Sequence, residues 1–327
     1  MELVVCSAPN HFGMLQKNKE YYFKYLPISK MVIIGAESGR KMFQADERVE
    51  FVDEETLYPG MTKQRVRELV VAGGGHFTRS NWYFQQFLKM AYALKCKEDS
   101  YLIWDADTIP VRKIEFFQDG KPQFSYCDDY FPDYYNTIEK LFDGRIKRAS
   151  DKCFIVEHMV IIKFYMQELL QVICDNDKLE GEHFYEKILH AVDRNAMKDS
   201  GFSEFETYAT YMLTEHSDVY GIRRLKACRY GLVLMGTEMN EAKEAWLAKD
   251  LDTISFEHFC RPSVFRKKWL NEDTYRNKSF AEVYKWYFSS GYYRIDQRIW
   301  AVFDKIKRVK YLIRRAPGKL KEMLEKG

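Results

Sequence analysis

The chain has 327 residues, 46% of them hydrophobic and 16% aromatic, with a formal net charge of +3. That length supports one large domain or two ordinary ones with a substantial core, and so small a net charge argues against a nucleic-acid binder. The seven cysteines (Cys6, Cys96, Cys127, Cys153, Cys174, Cys228 and Cys260) form no CxxC pair and keep no regular spacing. The pattern therefore speaks against a disulfide framework or zinc site and for buried thiols in a reducing compartment. No leader-like stretch precedes the first apolar run and no run is long enough to span a bilayer, so the expectation is a cytoplasmic protein.

The first elements alternate between strand and helix. Leu3–Cys6, Met31–Gly35 and Val49–Asp53 read as strands. The segment Ser7 to Gly13 reads as a loop after the first strand, where α/β proteins commonly touch a nucleotide; an ordinary turn fits it equally. Met61 to Ala72 reads as a helix running into Gly73-Gly74-Gly75, a glycine run that matches no phosphate-binding fingerprint. Ser80 is placed to cap a helix through about Lys95, with Phe84, Phe87, Leu88, Ala91 and Leu94 as its buried stripe. Arg79 and Lys89 can face a diphosphate from this helix or lie on a solvated face.

The most informative stretch is Tyr101-Leu102-Ile103-Trp104-Asp105-Ala106-Asp107-Thr108-Ile109-Pro110. Its apolar run reads as a buried central strand that ends in two carboxylates. Side chains alternate along a strand, so Asp105 and Asp107 point the same way, into the crevice at the strand's carboxyl end. Two hard oxygen donors so close together suit Mg²⁺ or Mn²⁺, ions that usually share their shell with substrate phosphates.

Further on, Gln123–Tyr126 reads as a short strand, and Asp128 to Tyr135 as an acidic, aromatic loop of the kind that holds sugar rings or simply packs its tyrosines. Phe154–Ile162 reads as a second buried strand interrupted by Glu157 and His158, polar residues that need partners there. Ser203 and Glu206 have capping-box spacing at the start of a helix. That gives Glu206 a structural task and leaves Glu204, in the same first turn, as a carboxylate available to a substrate hydroxyl or to the helix dipole. Leu232–Met235 and Thr253–Phe259 read as late strands, with His258 beside the second. From about Asp296 the chain is helical and basic, with Lys305, Lys307, Arg308 and Lys310 interleaved with Trp300, Val302, Phe303, Ile306 and Val309. Such a pattern can lie on an anionic membrane surface or pack one face on the domain.

Together, the W-D-A-D-T-I-P run, the preceding strand–helix alternation, the S-x-F-S-E-F-E-T-Y segment and the late E-H-F resemble bacterial glycosyltransferases of the GT-A fold. More narrowly, they are similar to a group of bacterial enzymes linked to lipopolysaccharide and surface-polysaccharide synthesis. The resemblance implies an α/β, Rossmann-like, mostly parallel sheet flanked by helices. It would form a catalytic domain over residues 1–265, with the donor half at about 1–125 and the acceptor half at about 126–265, followed by a basic helical extension over 266–327. It implies a nucleoside-diphosphate sugar donor, UDP-sugar favoured, a glycan or glycolipid acceptor, and Mn²⁺ or Mg²⁺ on Asp107 and Asp105 with His258 completing the shell. Glu204 would be the catalytic carboxylate on the acceptor side, a base if the reaction inverts the anomeric centre; Ser7, Arg79 and Lys89, from their own positions in the chain, are candidates for the donor site. Two other readings stand beside it. Asp105 also fits the nucleophile of a haloacid-dehalogenase-like phosphohydrolase, although some hundred residues precede it here. A non-catalytic sugar-nucleotide or glycan-binding protein is the third.

Overall fold

The structure is a computed structural model that describes residues 1–257 and 259–324, with side chains up to Tyr311. The chain divides into two compact units, residues 1–226 and residues 227 onward.

The first unit is built on a five-stranded sheet. Its strands are β1 (Glu2–Cys6), β2 (Lys30–Gly35), β3 (Val49–Asp53), β4 (Ser100–Trp104) and, after the short β5 (Lys121–Ser125), β6 (His158–Ile162). The order is β3-β2-β1-β4-β6, with β3, β2, β1 and β4 mutually parallel and β6 antiparallel to β4. β5 pairs in parallel with β7 (Gly221–Arg223). The near-continuous apolar runs follow from burial on both faces. Val4, Cys6, Val32, Ile34, Tyr101 and Ile103 enter one core, while Leu3, Val5, Met31, Ile33, Leu102 and Trp104 enter the other. Helix α1 (Phe12–Tyr25) covers the second face through Phe12, Leu15 and Tyr22. The first face is covered by α2 (Lys63–Ala72), α3 (Ser80–Ala91), α4 (Pro132–Leu141), α5 (Lys163–Cys174), α6 (Phe184–Ala191) and α7 (Glu204–Glu215). The expected mostly parallel, helix-flanked sheet is therefore what the chain forms. Because four strands run the same way, Ser7, Gly35, Glu54 and Asp105 all emerge at one edge.

Several local expectations are corrected. The strand expected from Phe154 begins only at His158, because the Phe154 amide is taken by the Glu206 carboxylate and the Val156 amide turns back to the Phe154 carbonyl. Ser80 does not cap its helix: its hydroxyl donates to the Phe77 carbonyl at 2.6 Å within a preceding turn, Phe77–Arg79. That helix ends at Ala91, and Leu94 is exposed in the turn that follows. The aromatic loop closes into α4 at Pro132, a residue pre-set for a first helical turn, so Tyr134 and Tyr135 are buried and Tyr130 is exposed.

In the second unit, Leu232–Met235 lies in a short helix, Gly231–Met235, where a strand was expected. It is held by the Trp269 indole donating to the Leu234 carbonyl at 2.8 Å. The late strand is confined to Thr253–Ser255, pairing in parallel with Ala227–Cys228. A helix over Phe280–Ser289, with Ser279 and Glu282 forming a capping box, precedes the terminal helix Tyr292–Leu324. Asp296 anchors that last helix: it is buried and accepts from the Tyr287 hydroxyl at 2.7 Å and the Val264 amide at 3.0 Å. Beyond Arg261–Asp304, an ion pair of 2.7 Å, Ile306, Val309 and Tyr311 are exposed. No helix among the described residues is long and apolar enough to cross a membrane.

Candidate active site

The Asp105-Ala106-Asp107 turn is fixed through its backbone. The Asp105 amide donates to the Glu157 carbonyl at 2.9 Å, and the Thr108 amide closes the turn onto the Asp105 carbonyl at 3.1 Å. From the α1 side the buried Tyr22 hydroxyl donates to the Ala106 carbonyl at 3.3 Å, and the Trp104 indole reaches the Thr108 carbonyl at 2.8 Å. Trp104 stacks on His158 with ring centroids 5.1 Å apart, and His158 Nε2 lies 3.0 Å from the Ser125 hydroxyl. Trp104 and Ser125 are thus the partners that His158, polar in an apolar run, required. Burial follows the predicted alternation: Ala106 is buried, whereas Asp105 and Asp107 are part-exposed.

Lys89 comes from α3 and meets this turn. Its Nζ lies 3.0 Å from Asp105 Oδ1 and 2.9 Å from Glu204 Oε1. The Lys89 and Glu204 side chains are only 7% and 6% exposed, against 35% for Asp105. Burial works against the Lys89 charge, but Asp105 and then Glu204 outweigh it and hold the ammonium well above the ordinary lysine range. The ammonium also sits 4.7 Å from the Phe205 ring centroid, and the Tyr101 hydroxyl donates to the Lys89 carbonyl. One turn earlier on α3, Gln86 Oε1 accepts the Glu204 amide at 3.1 Å, an N-terminal donor of α7 that the helix itself leaves unpaired. Thus α3 and α7 are joined by a bond to the backbone and by a buried ion pair. Glu204 is not the solvated helix-dipole acid that its position alone suggested.

The remaining expected residues are placed as follows. Ser7 is buried at the end of β1, its amide on the Ile34 carbonyl at 2.9 Å, next to Cys6, whose carbonyl accepts from Gln85. Burial pushes the Cys6 thiol up, away from thiolate chemistry. Arg79 lies at the other end of α3, ten residues before Lys89 and so about 15 Å along the helix. It stacks on Trp82 at 4.1 Å and donates to the Asp199 carbonyl and, at 2.9 Å, to the Ser200 hydroxyl. Arg79 thus tethers the segment entering α7, and the structure does not bring it together with Lys89 at the turn. His258 lies outside the described residues. Among the described residues no three His, Cys, Asp or Glu side chains gather closely enough to hold a metal ion. Asp105 and Asp107 still offer two hard donors, which fits an ion completing its shell with water and phosphate oxygens.

Glu206 does something the capping-box spacing did not reveal. The Ser203 hydroxyl accepts the Glu206 amide at 3.2 Å, but the Glu206 carboxylate accepts from the Tyr135 hydroxyl at 2.7 Å and the Phe154 amide at 2.8 Å. It ties α4 and the approach to β6 onto α7. Burial lifts its carboxyl above the ordinary range, against the Phe154 amide and the Tyr135 hydroxyl. A carboxyl that binds its proton more tightly folded than unfolded adds stability below the unfolded pKa, and this is lost as pH rises through the folded one. Glu206→Gln, whose amide can still satisfy both partners, is therefore expected to gain stability relative to wild type as pH rises above the ordinary glutamate range of about 4.5 in urea unfolding. A difference that stays constant with pH would contradict this.

Residues 36–219 match the model of a family of unknown function, DUF6492, a span that holds Lys89, Asp105, Asp107 and Glu204. No curated protein matches the chain in sequence. Among solved structures, mouse xyloside xylosyltransferase 1 in its apo form is similar at 12% identity and a TM-score of 0.39, covering 78% of this chain and 97% of its own. The galactosyltransferase LgtC, in complex with donor and acceptor sugar analogs, is similar at 11% identity and a TM-score of 0.39, covering 85% of this chain and 92% of its own.

Proposed function

We propose that this chain, which belongs to DUF6492, a family of unknown function, is a metal-dependent glycosyltransferase that moves a sugar from a nucleoside-diphosphate sugar to an acceptor hydroxyl. The observation that carries the reading is the Asp105–Lys89–Glu204 chain beside Asp107, at the carboxyl edge of parallel strands where α/β proteins bind ligands. Asp107 and Asp105 would hold Mn²⁺ or Mg²⁺, which when bound neutralises diphosphate charge. Lys89 has its ammonium committed to two carboxylates, so its part is to orient Asp105 and Glu204 rather than to clamp a phosphate. Glu204 would take the acceptor proton if the anomeric centre inverts, or position donor or acceptor if it is retained. UDP-sugar is the favoured donor, and a cell-surface glycan or glycolipid the proposed acceptor.

The test is a thermal-shift screen of nucleoside diphosphates and their sugars with and without Mn²⁺. A ligand that binds only the folded state raises the melting temperature by mass action. A Mn²⁺-dependent shift with one nucleotide class, lost in Asp107→Asn, is expected; no shift with any nucleotide would count against the reading.

A glycolipid acceptor also gives the terminal helix a role at the inner face of the plasma membrane. Its exposed Val302, Ile306 and Val309 lie among Lys305, Lys307, Arg308 and Lys310. Each basic residue near an anionic surface adds about 1 kcal/mol of binding. Changing those four to Glu is expected to weaken sedimentation with phosphatidylserine vesicles by at least about 1,000-fold. Unchanged binding would remove the membrane role.

A further inference from the structure

Cys127 follows β5 and Cys153 precedes β6, and the two face each other across an isolated antiparallel bridge. The Cys127 amide donates to the Cys153 carbonyl at 2.8 Å and the Cys153 amide donates back at 3.3 Å. A reciprocal pair of this kind holds its Cα atoms about 5.5 Å apart with both side chains on one face. That separation lies within the range a disulfide spans. Among the described residues no other two cysteines are opposed across a strand pair or bridge.

The two thiols are unequal. Cys153 is buried, whereas Cys127 is part-exposed and its thiol donates to the Ile155 carbonyl at 3.4 Å. The Cys153 thiol, donating to Cys127, holds the Cys127 thiol below its usual range against the effect of burial. Cys127 is thus the accessible nucleophile and Cys153 the thiol behind it. The segment that carries Cys153 also supports the candidate site. The next amide, Phe154, is bound by Glu206 in the first turn of α7, and the Glu157 carbonyl holds the Asp105 amide.

We propose that Cys127 and Cys153 form a redox-responsive pair that closes to a disulfide under a hydroperoxide and stiffens the Cys153–Glu157 segment beneath Asp105 and α7. The Cys127 thiolate attacks one peroxide oxygen, the O–O bond breaks, and hydroxide leaves to become water. The Cys153 sulfur then attacks the Cys127 sulfenic acid, so the S–S bond forms, the S–O bond breaks, and a second water leaves with the Cys153 proton. Two thiols and one hydrogen peroxide give one disulfide and two waters, and a dithiol reverses the change.

The full-length protein would be treated with limiting hydrogen peroxide, alkylated and digested without reductant. The expected product is a single linked species joining the Cys127 and Cys153 peptides, two hydrogens lighter than their sum and lost on treatment with dithiothreitol. Cys153→Ser should instead accumulate a dimedone-reactive sulfenic acid at Cys127, and Cys127→Ser should give no link. Hydrogen exchange of the amides from Cys153 to Glu157 should slow in the oxidised protein. Over-oxidation of Cys127 without a link, or prior oxidation of other cysteines, would overturn the pair. Unchanged exchange in a cleanly linked protein would overturn the stiffening.

Discussion

Replacing Lys89 with Met is expected to destabilise the first unit by about 3–5 kcal/mol, the usual cost of stranding a buried charge by removing its partner. Glu204 bears most of that cost, because its side chain is 6% exposed and its ion-pair partner is Lys89. Asp105 bears less, since at 35% exposure water takes over part of the lost interaction. For a unit of roughly 150–250 residues the melting temperature falls by about 2–4 °C per kcal/mol, so the shift is large and easily read. Lys89→Met with Glu204→Gln removes the stranded charge and should be more stable than the sum of the two single effects, by about 0.5–3 kcal/mol. Simple additivity in denaturant unfolding would mean that the two side chains do not interact as described.

Asp107→Asn should have the opposite profile. Asp107 is part-exposed, and the turn is held by backbone contacts from Tyr22, Trp104 and Glu157 that the substitution leaves in place. Its stability cost is expected to stay below about 1 kcal/mol. Metal-dependent donor binding and turnover, in contrast, should fall by about 100- to 1,000-fold, the scale on which loss of one electrostatic stabiliser of a developing charge is felt. Asp105→Asn mixes the two profiles, because it weakens the metal site and also removes a partner of Lys89. Comparing the three variants separates the residue proposed for the ion from those that hold the frame.

Much of this arrangement is legible in the sequence because it is local. The apolar runs Leu3–Cys6, Met31–Gly35 and Tyr101–Trp104 are strands buried on both faces, and the step from Trp104 to Asp105 marks where a strand leaves the core. What the sequence did not reveal is non-local. Lys89 pairs with carboxylates 16 and 115 positions away, and nothing near it in the chain distinguishes a buried lysine from a solvated one. Glu206 keeps the capping-box spacing, yet its carboxylate is drawn to Tyr135 and Phe154 by tertiary packing, which outweighs a local bond worth about 1 kcal/mol. Leu232–Met235 illustrates the same limit, since four apolar residues fit a strand or a buried helical turn and the Trp269 contact belongs to the latter.

The most direct test of the central claim is release of nucleoside diphosphate from a panel of nucleoside-diphosphate sugars, with Mn²⁺ supplied or chelated. The account predicts release from one nucleotide class, lost on chelation and in Asp107→Asn. No release from any donor, together with hydrolysis of a simple phosphate ester that disappears in Asp105→Asn, would contradict it and point to the phosphohydrolase.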